Sequence, residues 1–320
     1  MMIRVAKASR MTDGQRLPRR PVDGILLLDK PIGLTSNRAL QQVKRRYRAR
    51  KAGHTGSLDP LASGMLPICF GQATKVSAFL LDAAKAYTVQ AHWGRRTDTA
   101  DADGQTLEES SVSEVTRDTL EQALELFTGE IEQIPPMYSA LKHGGRRLYQ
   151  LARAGQTVDR PARSVQIHEL SIEQFDNCRP VLRVRCSKGT YVRTLVEDLA
   201  AACGTLGYVA GLRRLWVEPF VRSSMVTMEQ LEAAGDEAAL DRLLMPVDAA
   251  IADWASLELG ADQAYYLSHG HPVTAVCQGL APGRVRLYGP EARFLGIGEI
   301  LGDGRVAPRR LFVQGPENDA

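Results

Sequence analysis

Cysteine is scarce and poorly placed for cross-linking. The five thiols, Cys69, Cys178, Cys186, Cys203 and Cys277, are odd in number, widely spread and without a C-x-x-C pair. That argues against a disulfide framework and a structural zinc site, and suits a reducing compartment. Long apolar runs are missing too. The run Gly24-Ile25-Leu26-Leu27-Leu28 is stopped by Asp29 and Lys30, far short of the roughly eighteen residues of a membrane span. The opening stretch carries charge but no apolar segment ahead of a small-residue cleavage site, so it does not read as a secretory signal and a cytoplasmic location is expected. Aromatic residues are 6% of the chain and form no stripe of the RRM kind, and no KH or helix-turn-helix signature is present. The phosphate loop G-x-x-x-x-G-K-[ST], the dinucleotide motif G-x-G-x-x-G, the zinc motif H-E-x-x-H and the elbow G-x-S-x-G are absent as well. His269 and His271 are the only close histidine pair, and with no third ligand nearby they read as a surface turn.

What is present is a chain of 320 residues, 44% hydrophobic and 24% charged, with a formal charge of +3. Such a composition supports a packed core and fits one large domain plus a small one. The charge is unevenly placed. The first fifty residues hold 13 Lys and Arg against 3 Asp and Glu, whereas the remainder holds 27 against 34. A near-neutral total therefore conceals a basic N-terminal region and a more acidic body.

Residues 1–22 are polar, basic and aperiodic and read as a flexible tail. Residues 24–28 read as a buried strand, closed by the turn Lys30-Pro31-Ile32-Gly33. Ser36 is the expected N-cap of a helix whose apolar face carries Ala39, Leu40, Val43 and Tyr47. Residues 51–71 are punctuated by Gly53, Gly56, Gly64 and Gly71 and read as loop, with 65–70 the only strand-like piece. Helical spacing recurs over 73–81, 117–127 and 190–203; strand patterning recurs over 87–93, 165–175, 181–186 and 212–217. Residues 232–250 read as a helix plus linker, and from Ile251 onward short strands alternate with Gly/Pro turns, as in a small β-rich module. With no regular βαβ period and no internal repeat, the fold class is α+β.

Four groups of residues carry chemistry. Arg38, Lys44, Arg45, Arg46, Arg48, Arg50 and Lys51 fall within fourteen residues that include no acidic side chain. The like-charge i,i+4 pairs among them each cost roughly 0.2–0.5 kcal/mol in an isolated helix. An anionic partner offsets that cost better than solvent does, and phosphate backbone is the commonest partner of this kind. A second basic segment, 142–163, carries Lys142, Arg146, Arg147, Arg153, Arg160 and Arg163 against Asp159 alone. Directly after the basic helix, Asp59 sits in Gly56-Ser57-Leu58-Asp59-Pro60, with His54 five residues earlier. As an acidic residue before proline it is a turn-former; as a carboxylate to which a polyanion is delivered it is placed to act as nucleophile or base. Finally, Lys188-Gly189-Thr190-Tyr191-Val192-Arg193 joins a strand end to the first turn of a helix. Arg193 there is either a surface charge or the fork that holds a carboxylate such as Asp59.

The blocks GILLLDKPIGLTSN (24–37), AGHTGSLDPLASGMLPICFGQATK (52–75), RTDTADADGQ (96–105), IPPMYSALKHGGRRLYQLAR (134–153), CSKGTYVRTLVEDL (186–199) and GRVAPRRL (304–311) together resemble the bacterial tRNA pseudouridine-55 synthases of the TruB type, in order from about residue 23 to 312. The resemblance implies a catalytic domain over 23–250, a mixed β-sheet with flanking helices, in which 135–163 is a mobile thumb that closes on RNA. It further implies a small PUA-like RNA-binding domain over 251–320; the basic tail 1–22 lies outside it. The implied activity is isomerisation of uridine 55 in the T loop of tRNA, on a flipped-out base, with no cofactor and no metal. Its implied partner is the tRNA T arm, with no membrane and no protein partner, and the chain is expected to be a monomer. Residue by residue, Asp59 matches the catalytic aspartate and Arg193 its paired arginine. Tyr87 matches the tyrosine that stacks on the flipped base, and His54 the residue that supports the rearranged loop. Tyr191 and Leu212 match further pocket residues, Lys30 and Lys75 basic motif positions. Ser57 stands where alanine is common, a minor departure.

The chemistry agrees with that assignment. Breaking the N1–C1′ bond, turning the uracil and reattaching it through C5 needs a carboxylate beside the sugar, a pocket that keeps the detached base, and exclusion of water. Extracting the base costs a few kcal/mol, of which stacking on Tyr87 returns roughly 1–3 kcal/mol. Two competing readings use the same residues. One is a non-catalytic tRNA-binding folding factor built on the basic surfaces; the other is a glycosidase pairing Asp59 with Asp29, disfavoured because hydrolysis must admit water. If the two basic segments carry the binding, tRNA affinity falls steeply as salt is raised. A filter-binding titration over increasing KCl checks this, and a flat response overturns the electrostatic reading.

Overall fold

In a computed structural model that describes residues 18–277 and 279–312, the early apolar run forms strand β1 (Gly24–Lys30) at one end of an eight-stranded sheet. It is followed by α1 (Ser36–Arg46), β2 (Ala52–His54), β3 (Ala62–Phe70), α2 (Ser77–Asp82) and β4 (Lys85–Trp93). A hairpin of β5 (Arg95–Thr97) and β6 (Thr106–Glu109) leads into α3 (Arg117–Leu126) and β7 (Gly129–Gln133). The short pair β8 (Lys142–His143) and β9 (Arg146–Arg147) precedes α4 (Leu148–Arg153). Then β10 (Arg163–Gln174), β11 (Val181–Cys186), α5 (Val192–Ala202) and β12 (Gly207–Val217) complete the main sheet. After α6 (Met228–Ala233) and α7 (Glu237–Asp241), a second sheet contains β13 (Ser256–Glu258), β14 (Val273–Thr274), β15 (Gly283–Tyr288), β16 (Phe294–Ile300) and β17 (Arg305–Leu311), with α8 (Ala261–Ser268) beside it. The architecture is α+β, as the irregular alternation of elements predicts.

The main sheet runs β1-β3-β12-β4-β11-β10-β7, with β2 on β3. Its pairings are antiparallel except β3 with β12. Insertion of the late strand β12 between β3 and β4 aligns Lys30 with Gly64, Gly64 with Arg214 and Arg214 with Tyr87 in one row across four strands. Gly64 is required there: at φ +98 a Cβ would lie 2.1 Å from the Arg214 carbonyl oxygen.

Both faces of this sheet are covered, which is why β1 is apolar at successive positions rather than alternating. Leu26 and Leu28 join the apolar stripes of α1, α3 and α5 in one core. Ile25 and Leu27 join Leu80 of α2, Trp216, Ile251 and Ile297 of the second sheet in another. The C-terminal sheet therefore docks through β16 on the face that the long helices leave open.

Several local expectations change. Thr35, not Ser36, caps α1 by accepting from the Arg38 N–H at 3.2 Å. Ser36 is instead buried, and its Oγ accepts from the Leu58 N–H at 2.7 Å and donates to the Leu58 carbonyl at 3.0 Å. The segment read as loop over 51–71 contains β2 and the nine-residue β3, because its glycines serve close strand approach as well as turns. Residues 73–81 divide between a 3-10 turn, Gly71–Lys75, and α2. Of the basic tail, residues 1–17 lie outside the described residues, but 18–22 are held. Arg20 bridges to Ala49, and its guanidinium forks onto Asp241 at 2.6 and 2.7 Å. The basic helix is likewise answered partly from within. Arg46 donates to the carbonyls of Leu231 (2.8 Å) and Ala234, and Arg48 pairs with Glu237 at 2.9 Å. Those contacts replace part of the external anion that the charge run called for; Arg38, Arg45, Arg50 and Lys51 remain exposed. The second basic segment also has more to bury than its sequence suggests, since Leu148 and Leu151 are in the interior.

Ser36→Ala removes the hydroxyl that satisfies both backbone groups of buried Leu58, so unfolding stability is expected to drop by about 1–3 kcal/mol. Urea denaturation of the two proteins checks this, and superimposable curves overturn it.

Candidate active site

The β2–β3 connection is shaped by its backbone before any side chain is considered. Gly56 takes φ +80, which turns the chain, and the Thr55 N–H donates to the Pro67 carbonyl at 3.1 Å. Further along, the Ala62 N–H donates to the Asp59 carbonyl at 3.1 Å and the Gly33 N–H to the Pro60 carbonyl at 2.8 Å. With Leu58 held by Ser36, the Asp59 carboxylate is presented at 39% exposure.

Arg193 reaches Asp59 from the first turn of α5. Its Nε lies 3.1 Å from Asp59 Oδ2, and its Nη1 donates to the Thr99 carbonyl at 2.9 Å and lies 3.5 Å from the Asp101 carboxylate. Its Nη2 donates to the Tyr138 carbonyl at 2.7 Å. Arg193 is only 7% exposed, so the planar fork has little freedom to leave the carboxylate. Asp101 is deeper still. Burial pushes its carboxyl above the usual aspartate value, against the Thr99 hydroxyl bond of 2.5 Å and the Arg193 charge.

The other candidates gather around this pair. Tyr87 on β4 is buried opposite Arg214, and burial raises its phenol pKa, so it stays protonated at neutral pH. Leu212 lies two residues before Arg214 on β12, aligned with Val89 and Ala62. Tyr191 immediately precedes α5, and the Gln133 side chain clasps its backbone: the Tyr191 N–H donates to Oε1 at 3.0 Å and its carbonyl accepts from Nε2 at 3.3 Å. His54 ends β2 half-buried; burial and then the Arg214 charge lower its pKa, leaving the imidazole neutral. Lys30 is fully buried. Its Nζ donates to the carbonyls of Pro31 and Leu34 at 2.8 and 2.7 Å, and burial brings its pKa down to about 8 despite the opposing Asp59 charge.

Lys75 does not join this group. Its Nζ donates to the Leu311 carbonyl at 2.9 Å and sits 5.1 Å from the Phe312 ring centre, and Arg310 returns a 2.9 Å bond to the Lys75 carbonyl. The structure thus assigns Lys75 to the seam between the two sheets. Asp29 is forked by Arg213 at 2.7 and 3.0 Å. Among the described residues, no group of three or more His, Cys, Asp or Glu is arranged to hold a metal ion, and no helix is long and apolar enough to cross a membrane.

With that geometry in view, residues 44–192 match the N-terminal domain of TruB family pseudouridylate synthase, and residues 193–252 the C-terminal domain of tRNA pseudouridylate synthase B. Residues 255–312 match the C-terminal region of pseudouridine synthase II TruB. The chain belongs to the TruB family of pseudouridine synthases. It is 53% identical over 299 residues to tRNA pseudouridine synthase B of Pseudomonas paraeruginosa, covering 92% of this chain and 97% of that protein. It is 53% identical over 297 residues to the protein of the same name from Stutzerimonas stutzeri, with the same coverage of 92% and 97%. The solved structure of an H/ACA RNP bound to a substrate RNA containing 2′-deoxyuridine contains a chain of the same fold, with TM-score 0.69 at 21% identity over 91% of this chain and 85% of that one.

Three side chains of this TruB-family enzyme's site escape a reading of the sequence. Asp101 is one of three aspartates between residues 98 and 103, and only burial separates it from its neighbours. Arg214 follows Arg213, and the pleat sends the two to opposite faces, Arg213 to Asp29 and Arg214 under the aspartate loop. Gln133 lies 58 positions from Tyr191, so no local pattern joins them.

One turn beyond Arg193, Glu197 is pushed up to about 7, chiefly by burial and then by the neighbouring Asp198 charge. The folded protein keeps a proton there that the unfolded chain loses above its ordinary value of 4.5, so this group costs stability as pH rises from 4.5 to about 7. Glu197→Gln is therefore expected to raise Tm at a pH of about 8 and to leave it unchanged at a pH of about 4. Thermal melts across that range check the sign, and a pH-independent difference overturns it.

Proposed function

We propose that this pseudouridine synthase converts uridine 55 in the T loop of tRNA to pseudouridine, with Asp59 acting on the flipped-out nucleotide. The observation that carries the proposal is a half-exposed carboxylate held 3.1 Å from a buried arginine, beside the buried Tyr87. Relatives that share 53% of its residues are named for tRNA, which supports the substrate class. The reaction is internally balanced. The N1–C1′ bond opens, the uracil turns, C5 bonds to C1′, the C5 proton leaves and N1 takes up a proton, so no oxidant or co-substrate is consumed. Asp59 works beside the sugar, Arg193 fixes its direction, and Tyr87 offers a face on which the uracil stacks while detached. His54, Tyr191 and Leu212 line the approach. Residues 135–163 act as the thumb on RNA, and the module from residue 251 extends the RNA-binding surface.

Asp59→Asn keeps size and removes the charge. With an unmodified tRNA transcript and pseudouridine mapped at single-nucleotide resolution, the wild type is expected to modify position 55. The variant should fall below detection while its tRNA Kd stays within about 3-fold. Conversion by the variant at the normal rate overturns the role of Asp59, and modification at another position overturns the site. Retained tRNA binding without conversion would isolate any separate tRNA-folding role from catalysis.

A further inference from the structure

Beneath the aspartate loop lie three cations that the mechanism above does not use. Lys30, Lys85 and Arg214 are 0%, 7% and 1% exposed. Their donors end on backbone carbonyls. Arg214 Nε donates to Met65 O at 2.6 Å and Nη2 to Gly56 O at 3.1 Å. Lys85 Nζ donates to the carbonyls of Leu81 at 3.0 Å and Ala83, and Lys30 to those of Pro31 and Leu34. Among the described residues, none of the three has an ion-pair partner, whereas Arg193 has two carboxylates and Arg213 has Asp29. Buried charge held only by dipoles is expensive, and a neutral side chain of similar length would fill the space more cheaply.

Their placement is convergent. A Cβ on Gly56, three residues before Asp59, would lie 3.5 Å from Arg214 Nη1 and 3.7 Å from Lys85 Cε. Tyr87 aligns with Arg214 across β4 and β12, and the Arg214 charge acts on its phenol. Lys30 occupies the other end of the same row. Cys186, which faces Lys85 across β4 and β11, has its thiol pushed up to about 11 and stays neutral at working pH.

We propose that Arg214, with Lys85 behind it, forms a positive floor to the pocket that steadies the Tyr87 ring and offsets the negative charge developing on uracil as its N1–C1′ bond opens. The proposal rests on the uridine reading above. When that bond breaks heterolytically its electron pair goes to the ring, and the charge spreads over N1 and the exocyclic oxygens until C5 bonds to C1′. A fixed cation in a water-poor site stabilises that charge at no cost in reorganisation. Arg214 and Lys85 are positioning residues in this scheme, acting through Tyr87 and through their field.

The test compares Arg214→Lys, Arg214→Met and Lys85→Met with wild type in single-turnover conversion of an unmodified tRNA transcript, with tRNA Kd and Tm measured alongside. Arg214→Met is expected to lose about 100-fold in rate with Kd changed less than about 3-fold, and Arg214→Lys to recover part of it. Lys85→Met, which leaves the Arg214 bonds in place, is expected to lose about 10-fold. Equal rates in the lysine and methionine variants, or a loss of affinity that matches the loss of rate, overturn the proposal. A second measurement needs no variant. RNA carrying 6-azauridine at the target position has a base that ionises near neutral pH, so the wild type should prefer it over the uridine RNA by a factor that grows by about 10-fold between pH values of about 6 and 7.5. A flat preference overturns the proposal even if Arg214→Met fails to fold. Should the wild type convert no uridine in the transcript, the functional reading fails; should wild type and Arg214→Met convert equally, only the charged floor does.

Discussion

A guanidinium that is 7% exposed must have its charge and its donors answered, and Arg193 has them answered from three parts of the chain. Asp59 comes from the β2–β3 turn, Thr99 and Asp101 from the β5–β6 hairpin, and Tyr138 from the segment between β7 and β10. Each contact would be a modest hydrogen bond in isolation. Together, in a buried setting, they leave the fork one orientation, and the Asp59 carboxylate inherits it. The sheet order follows from the same need. Only when β12 lies between β3 and β4 do the aspartate turn, Tyr87 and Leu212 meet beside the N-terminus of α5.

Charge in this protein is distributed according to depth. On the surface it is paired inside the chain wherever an acidic partner is at hand, as with Arg20 and Arg48 on α7. Exposed Arg38, Arg45, Arg50 and Lys51 are left for an external polyanion. Under the site, cations are held by carbonyls and, among the described residues, make no ion pair, so the pocket floor favours negative charge above it. Lys75 and Arg310 use charge in a third way, exchanging bonds with backbone carbonyls that fasten the second sheet to the first beside the aromatic ring of Phe312.

Much of the fold is written in local patterns. The apolar run of β1, the stripe of α3 and the alternation of β11 lie where periodicity predicts, because these segments bury a face whatever their neighbours are. Ser36 shows where local pattern stops. It satisfies every rule for an N-cap, yet Thr35 does that work, and Ser36 is drawn into a bond with Leu58, 22 positions away. Arg20 shows the opposite error: a basic, proline-flanked stretch looks free, but Asp241 is folded back to meet it. Asp29 looks available to Asp59 in a linear reading until Arg213 claims it.

The sequence by itself determined that this is an α+β chain with basic charge gathered before an aspartate loop, and its motif blocks determined the family. Those are properties of residue order, and they persist whatever the fold does with them. Tertiary structure decided which charges meet. It put Asp101 rather than Asp98 or Asp103 on Arg193, sent Arg213 and Arg214 to opposite faces of one strand, and moved Lys75 out of the site to the seam. The reason is physical: pairing between charges depends on distance and on exclusion of water, and both are set by burial among strands that are far apart in the chain.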